Sequence, residues 1–309
     1  MELSRNILLW ASNNEWMKKH IPERKFVRRA VKRFMPGENV TDAIEAGREL
    51  MKNGIPATFT YLGENINELI EAENTAKQYV ELLERIYKEQ LDIEVSLKLT
   101  QIGFDLSFDK TLEYFEQVTH TAKKYGNNVF IDIEDSHYVD KTLTFYKEVK
   151  KDYDNAGLCL QSYLYRTMDD LKNMIDIKPW IRLVKGAYKE PADIAFPEKR
   201  KVDENYLMLS KYLLRQTKNE GIRVAYGTHD IKLQEQIKLE AERIGLEKEN
   251  LEFQMLYGIK EREQMKLAEE GYNIRTLISY GKFWYPWYMR RLAERPANVG
   301  FVLKNLFSN

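Results

Sequence analysis

The stretch Val129-Phe130-Ile131-Asp132-Ile133 is one of eight short, β-rich apolar runs that recur along the 309-residue chain. Each run is followed by a longer segment with helical spacing of its apolar residues, such as 68–90, which contains neither Gly nor Pro. The period is roughly 31 residues, the length of a strand plus a crossover helix. The other runs are Ala57–Tyr61, Ile93–Leu99, Leu158–Ser162, Ile181–Lys185, Ile222–Tyr226, Leu251–Met255 and Ile274–Ile278.

Eight such units in a row predict an α/β fold of the (β/α)8 TIM-barrel type. The competing architecture is a doubly wound open sheet, but the chain has no Gly-x-Gly-x-x-Gly segment of the kind that opens many such sheets. Residues 1–54, rich in helix formers and interrupted by Pro22 and Pro36, are predicted to form an N-terminal helical extension. Residues 55–309 are then predicted to form the barrel.

The charge of the chain is balanced overall but uneven along its length. With 48 Lys+Arg against 48 Asp+Glu, bulk electrostatics gives no reason to expect a nucleic acid as partner. Residues 1–33, however, carry a surplus of six positive charges. A basic amphipathic helix of this kind either packs on the main domain or rests on an anionic membrane, and both interpretations stay open. No apolar run approaches bilayer length, so we predict a cytoplasmic protein, peripheral to the inner face of the membrane at most.

The predicted strands carry polar residues at or just beyond their ends. In a (β/α)8 barrel the reacting groups sit at the carboxyl ends of the strands, and a buried polar group without a partner costs about 1–3 kcal/mol. Such convergence predicts a site, although a buried structural ion network is the alternative for each residue alone. The residues are Lys98, Asp132, Glu134, Asp135, Gln161, Arg182, Lys185, Thr228, His229, Asp230, Glu252 and Gln254.

Metal chemistry and covalent catalysis find no support in the sequence. His229 follows a strand as a metal ligand would, but no two of the four histidines have ligand spacing, so no metal site is predicted. Cys159, the only cysteine, lies between two leucines inside a predicted strand and is interpreted as a core thiol. A single cysteine also fits a reducing compartment.

The segment 281–298 is predicted to be an aromatic-rich helix that ends at Pro296. Arg290 and Arg291 precede Glu294 by four and three residues, so a helix brings the three side chains together. Two guanidiniums held by a carboxylate suit a substrate carboxylate, because arginine offers a planar fork of donors. A solvated charged helix face is the alternative, and the neighbouring aromatic residues favour an enclosed site.

With these motifs the sequence resembles the FAD-dependent proline dehydrogenases, specifically the monofunctional bacterial kind. The resemblance runs from about residue 33 to the end, and the family's fold is a distorted (β/α)8 barrel. Its activity is the oxidation of L-proline to Δ1-pyrroline-5-carboxylate by hydride transfer to flavin N5. The matching segments are 33–38 (RFMPGE), 96–101 (SLKLTQ), 131–136 (IDIEDS), 160–163 (LQSY), 182–188 (RLVKGAY), 228–230 (THD), 253–258 (FQMLYG) and 290–294 (RRLAE).

The resemblance implies a role for each matched position. Asp132 and Arg182 would lie at the reacting centre, with Arg182 near the isoalloxazine of FAD. The substrate carboxylate would be bound by Lys98, Arg290 and Arg291, with Glu294 bracing the arginines. The residues that would contact or support the flavin are Ile133, Gln161, Val184, Lys185, Gly186, Ala187, Thr228, His229, Glu252 and Gln254, besides Arg182.

Two positions depart from the family's substrate pocket. Leu277 stands where the family has a tyrosine after the eighth strand, and Trp287 stands where a second pocket tyrosine precedes the arginine pair by three residues. The loss of a hydroxyl and the added bulk reshape the space around the substrate ring. A substituted cyclic amino acid such as 4-hydroxyproline is therefore the alternative substrate to proline.

The resemblance also implies partners for the reaction. Electrons would pass to a quinone-like acceptor, and the product would be handed to a pyrroline-5-carboxylate dehydrogenase. A third hypothesis is a non-catalytic barrel that binds a carboxylate metabolite or a partner through the basic N-terminal helix. The presence of Lys98, Asp132, Arg182, Arg290 and Arg291 argues against it, because a site without chemistry has little use for that set.

Overall fold

The computed structural model describes residues 7–8, 10–12, 14–22, 24–63 and 66–294, without the side chains of Lys25, Phe26 and Glu294. Eight parallel strands close into a barrel in which each strand pairs with the next and β8 pairs with β1. The predicted (β/α)8 fold is therefore confirmed. The strands are β1 (Ala57–Tyr61), β2 (Ile93–Leu97), β3 (Val129–Ile131), β4 (Ala156–Gln161), β5 (Trp180–Val184), β6 (Val224–Gly227), β7 (Glu252–Leu256) and β8 (Asn273–Tyr280).

Helices alternate with the strands around the barrel. The helix after β1 shows how the sequence sets such an element: Glu68 and Glu71 form a capping box at its start, and Ala72, Ala76 and Leu83 form part of its buried face. The helices are α1 (Glu15–His20), α2 (Lys25–Val31), α3 (Val40–Met51), α4 (Leu69–Lys88), α5 (Phe108–Lys124), α6 (Val139–Val149), α7 (Thr167–Lys172), α8 (Lys199–Glu220), α9 (Ile231–Arg243), α10 (Glu261–Glu269) and α11 (Trp284–Glu294).

The buried apolar residues form two clusters. The larger one lies between the strands and the surrounding helices, and it includes Ala43 and Ile44 of α3. The second joins α11 to the N-terminal segment, where Val31 packs in the same cluster as Trp284 and Tyr288. Part of the basic segment therefore packs on the barrel through its apolar side chains. The elements around α11 are thereby held next to the barrel.

An ion cluster fills the end of the barrel at which the strands begin. Arg223, just before β6, donates to Glu94 Oε1 at 2.5 Å and to Glu252 Oε2 at 2.8 Å. Arg275 in β8 places Nε 3.5 Å from Glu94 Oε2 and donates from Nη1 to the carbonyl oxygen of Ala57 at 2.8 Å. Two carboxylates and two guanidiniums satisfy each other there, which makes their burial tolerable.

The charge of Glu94 makes stability depend on pH. Burial raises the pKa of its carboxyl, but Arg275, Arg223 and the hydrogen bonds from Arg223 and Asn128 outweigh burial and lower the pKa from 4.5 to about 2. Because the folded chain binds this proton less readily than the unfolded chain, the contribution to stability is present above about pH 4.5 and is lost as the pH falls toward 2.

We expect Glu94→Gln to lower the free energy of unfolding by about 3 kcal/mol at pH 7, because Arg223 and Arg275 lose a buried counter-charge. The difference in the free energy of unfolding between wild type and variant should narrow as the pH falls below about 4.5. Urea denaturation at several pH values measures both quantities. The matched control is Glu113→Gln, which removes an exposed pair with Lys110 and should change stability by less than about 1 kcal/mol. A gap that stays constant or widens in acid would contradict the assignment.

Candidate active site

A buried ion pair lies inside the barrel toward the ends of the strands. Arg182 Nη1 of β5 donates to Asp132 Oδ1 at 2.7 Å, and Arg182 is only 3% exposed. Ser96 Oγ of β2 donates to the same Oδ1 at 2.6 Å and accepts from Arg182 Nη1 at 2.9 Å. Thr60 Oγ1 of β1 donates to Asp132 Oδ2 at 3.2 Å. Residues from four strand regions thus fix the positive charge of Arg182 beside the carboxylate of Asp132.

Three of the predicted flavin residues present buried polar atoms that have no hydrogen-bond partner among the described residues. These atoms are Arg182 Nε and Nη2, Gln161 Oε1 and Gln254 Oε1. The amide orientations are fixed, because Gln161 Nε2 donates to the Glu134 carbonyl at 3.1 Å and Gln254 Nε2 donates to Glu252 at 2.7 Å. Buried polar groups are normally satisfied, so this set of two donors and two acceptors calls for a polar ligand. The edge of an isoalloxazine ring, with carbonyl and ring-nitrogen acceptors and one N–H donor, has the matching chemistry.

The loop after β5 carries the predicted flavin residues Lys185, Gly186 and Ala187. Gly186 has φ of 113°, and a Cβ there would lie 2.4 Å from the ring of Tyr163. The requirement for glycine thus comes from backbone conformation and from Tyr163, which the sequence did not indicate. Glu190 anchors the loop, since it accepts hydrogen bonds from Ser136 N at 2.8 Å and Ser136 Oγ at 2.6 Å.

Lys185 belongs to a polar group at the ends of β5 and β6. Its Nζ donates to Asp203 Oδ1 at 2.5 Å and to Asp230 Oδ2 at 3.1 Å. Thr228 Oγ1 accepts from the backbone of Asp230 at 3.1 Å, and His229 Nε2 accepts from the backbone N–H of residue 256 at 2.9 Å. His229 therefore carries its ring proton on Nδ1 when neutral. The flavin residues predicted from β5 and β6 lie at neighbouring strand ends.

The predicted substrate residues approach from two directions. Lys98 follows β2 as the N-cap residue of a short 3-10 helix, Leu99–Ile102, and is half-buried. Arg290 of α11 is 9% exposed and lies over the ring of Tyr188, with Cζ 5.5 Å from the ring centroid. Because Tyr188 follows Ala187 in the flavin loop, this contact places the arginine pair of α11 beside that loop. Arg291 is half-buried, and the side chain of Glu294 lies outside the described residues.

Four of the remaining predicted positions are apolar, and the fifth, Glu252, is charged. Ile133 is buried just beyond β3, Val184 ends β5, and Leu277 is half-buried within β8. Trp287 is 9% exposed and belongs to the second apolar cluster. Glu252 is the first residue of β7, where Arg223 binds its carboxylate. The structure therefore places Glu252 at the opposite end of the barrel from the other predicted flavin residues, where its carboxylate also accepts a hydrogen bond from Gln254.

Sequence reasoning missed Thr60 and Ser96, the hydroxyl partners of Asp132. Both lie within predicted runs, at alternate positions that face the same side as Thr58 and Lys98. Strand periodicity was the signal that could have found them. Cys159, in contrast, is a buried thiol as expected, and burial raises its pKa to about 12, so it is protonated near neutral pH.

Two further searches concern metals and membranes. Within the described ranges, no group of three or more His, Cys, Asp or Glu side chains is placed to hold a metal ion. Among the helices that the structure describes, none combines the length and apolar character needed to cross a bilayer.

Comparison with known proteins identifies the family. A family model described as proline dehydrogenase matches residues 43–304. The chain belongs to the proline dehydrogenase family. Proline dehydrogenase 1 of Bacillus subtilis subsp. natto is 39% identical over 305 residues, which cover 98% of each chain. The proline dehydrogenase of Deinococcus radiodurans is 36% identical over 279 residues, 89% of each chain. The predicted resemblance to monofunctional bacterial members of this family is confirmed.

Solved structures of the family share the fold. Proline utilization A (PutA) from Bdellovibrio bacteriovorus, inactivated by N-propargylglycine, matches with a TM-score of 0.82 at 26% identity. The match covers 99% of this chain and 37% of the PutA chain, so the sequence of this proline dehydrogenase family member spans only part of the PutA length. PutA from Corynebacterium freiburgense, at 20% identity and a TM-score of 0.74, shows the same fold.

Proposed function

We propose that this chain is an FAD-dependent dehydrogenase that oxidises L-proline to Δ1-pyrroline-5-carboxylate, the first step of proline catabolism. Family membership supports the reaction. The observation that carries the proposal is the buried Arg182–Asp132 pair, whose guanidinium keeps two N–H donors without partners among the described residues. A buried cation with donors left over suits a site where negative charge develops.

Different residues are proposed to act on the cofactor and on the substrate. Bound FAD would supply the acceptor for the two electrons that leave the substrate as its ring C–N bond becomes an imine. Arg182 holds a fixed positive charge beside the proposed flavin site, and Asp132 keeps the guanidinium in place. Lys98, Arg290 and Arg291 bind the substrate carboxylate and so orient the reacting carbon.

The decisive experiment uses the absorbance of the purified protein. We expect a yellow holoprotein whose flavin band bleaches when L-proline is added without oxygen, with Δ1-pyrroline-5-carboxylate as product. D-Proline is the matched control, because a carboxylate clamp and a fixed flavin face should accept one enantiomer. A protein that stays colourless after incubation with FAD would refute the cofactor, and a yellow protein that proline does not bleach would refute the substrate.

The alternative substrate is 4-hydroxyproline, motivated by Leu277 and Trp287. The curated relatives are named for proline, which favours proline over its hydroxylated analogue. Steady-state kcat/KM for proline, 4-hydroxyproline and N-methylproline, measured side by side, decides between the two substrates.

For the partners, we propose a quinone-like acceptor and transfer of the product to a pyrroline-5-carboxylate dehydrogenase. The proposed location is the cytoplasm, with contact at the inner face of the membrane through the N-terminal segment. Its support is the exposure of Trp10 and Trp16, 63% and 64%, within residues 1–33, the segment that carries the surplus of positive charge. Co-sedimentation with vesicles containing anionic lipid, compared with neutral vesicles, tests the contact.

A further inference from the structure

A stack of aromatic rings and guanidiniums connects the two ends of the barrel interior. Arg182 Cζ lies 4.4 Å from the centroid of the Phe130 ring, and Arg223 Cζ lies 5.4 Å from the same centroid. Arg223 also lies 5.4 Å from the ring centroid of Trp180. Phe130 is fully buried and Arg182 is 3% exposed, so water weakens the contact between them little. The ring of Phe130 thus separates the ion cluster at one end from the Arg182–Asp132 pair at the other.

The neighbouring strand leaves space for this ring. Gly157 of β4 pairs with Phe130 of β3, and a Cβ at Gly157 would lie 2.4 Å from the Phe130 ring. Gly157 is not one of the glycines with a positive φ, so its backbone conformation does not require glycine. The position therefore serves the packing of Phe130 over the barrel axis.

The two arginines depend on this ring to different degrees. Arg223 is held by two carboxylates, Glu94 and Glu252. Among the described residues, Arg182 pairs with one carboxylate, that of Asp132, and it donates its hydrogen bonds there from Nη1. Its Nε and Nη2 meet no hydrogen-bonding partner in the described part of the chain. The hydrogen bonds hold the planar guanidinium at Nη1, and the Phe130 ring, 4.4 Å from Cζ, adds a contact that opposes tilting of that plane.

We propose that Phe130 is a positioning residue for Arg182, acting through a cation–π contact that sets the plane of the guanidinium toward the flavin. The inference rests on the proposed function, because it assigns the two remaining N–H donors of Arg182 to the cofactor. Arg223 supports the ring from the opposite end of the barrel. The contact raises the two-electron potential of the flavin by keeping the positive charge where reduction places negative charge.

The test replaces Phe130 with mono-, di- and trifluorinated phenylalanine in the holoprotein. Fluorination weakens the negative face of the ring and changes its shape little, so packing is retained while the cation–π attraction falls. We expect the flavin potential to become more negative and kcat/KM to fall step by step, reaching about tenfold for the trifluorinated ring. A tenfold change in the reduction equilibrium corresponds to a shift of about 30 mV.

Phe145 is the matched control position. It is also fully buried, but its recorded ring contacts are with other aromatic residues, Phe104, Phe108 and Phe115. Trifluorination there should leave the potential and kcat/KM unchanged. A second variant, Phe130→Leu, should shift the potential in the same direction as the trifluorinated ring.

The outcomes separate this inference from the proposed function. If the unmodified holoprotein binds no flavin or does not oxidise proline, the proposed function fails. If it does both and the potential is insensitive to fluorination at position 130, the proposed function stands and the positioning role of Phe130 is refuted. An equal response at positions 130 and 145 would also refute it, because the effect would then be general.

Discussion

Asp132→Asn is expected to lower kcat/KM by roughly a hundredfold and to destabilise the fold. Asp132 is the carboxylate that pairs with Arg182, a side chain only 3% exposed. Removal of one partner from a buried pair leaves an uncompensated charge and costs about 3–5 kcal/mol. A guanidinium no longer held in position also loses its effect on developing charge, and a single misplaced donor of this kind costs about 10²–10³ in rate.

The measurements are steady-state kinetics, flavin content and urea denaturation of the same preparation. Asp109→Asn is the matched control, since it makes the same change at an exposed carboxylate in the first turn of α5. Ser96→Ala removes a neutral partner of the pair and should cost less than Asp132→Asn. Wild-type kcat/KM and stability in Asp132→Asn would contradict the role of the pair.

Arg290→Met and Arg291→Met are each expected to raise KM for proline by about a hundredfold while leaving the flavin absorbance in place. Loss of one charged partner of a substrate carboxylate costs about 2–5 kcal/mol, and methionine preserves much of the buried stem. Arg290 packs over Tyr188, which places the proposed clamp beside the loop that carries the proposed flavin residues.

The clamp is measured by proline titration of the oxidised protein and by flavin content. Arg262→Met is the control, because Arg262 lies on the exposed face of α10. The decisive comparison is between proline affinity and flavin content in the same variant. If either variant lost flavin and kept normal affinity for proline, that arginine would belong to the cofactor site.

The sequence predicted the barrel because every strand left a local signal. Parallel strands buried on both faces read as short apolar runs, and the alternation with amphipathic segments set the period. Bounds were less certain: the fourth run was placed two residues late at its start, because Ala156 and Gly157 have weak strand propensity.

The candidate site was predicted less completely, for a geometric reason. Residues that follow a strand, such as Lys98 and His229, could be placed by chain direction alone. Thr60 and Ser96 face the interior one step earlier on their strands and are small, so composition gave no reason to single them out. Glu252 was assigned to the flavin by the family resemblance and by its place in a polar strand, although it begins that strand and lies among the ions of the opposite end.

The seam between β8 and β1 has a consequence for synthesis of the chain. Arg275 of β8 bonds to the carbonyl of Ala57, 218 positions earlier, and to Asp92 before β2. A nascent chain that lacks β8 therefore presents β1 and β7 as two open edges, each a template for pairing with another chain. Contacts of such long range are also slow to form. The barrel can therefore close only after β8 has been synthesised and has paired with β1, which leaves both edges open until then.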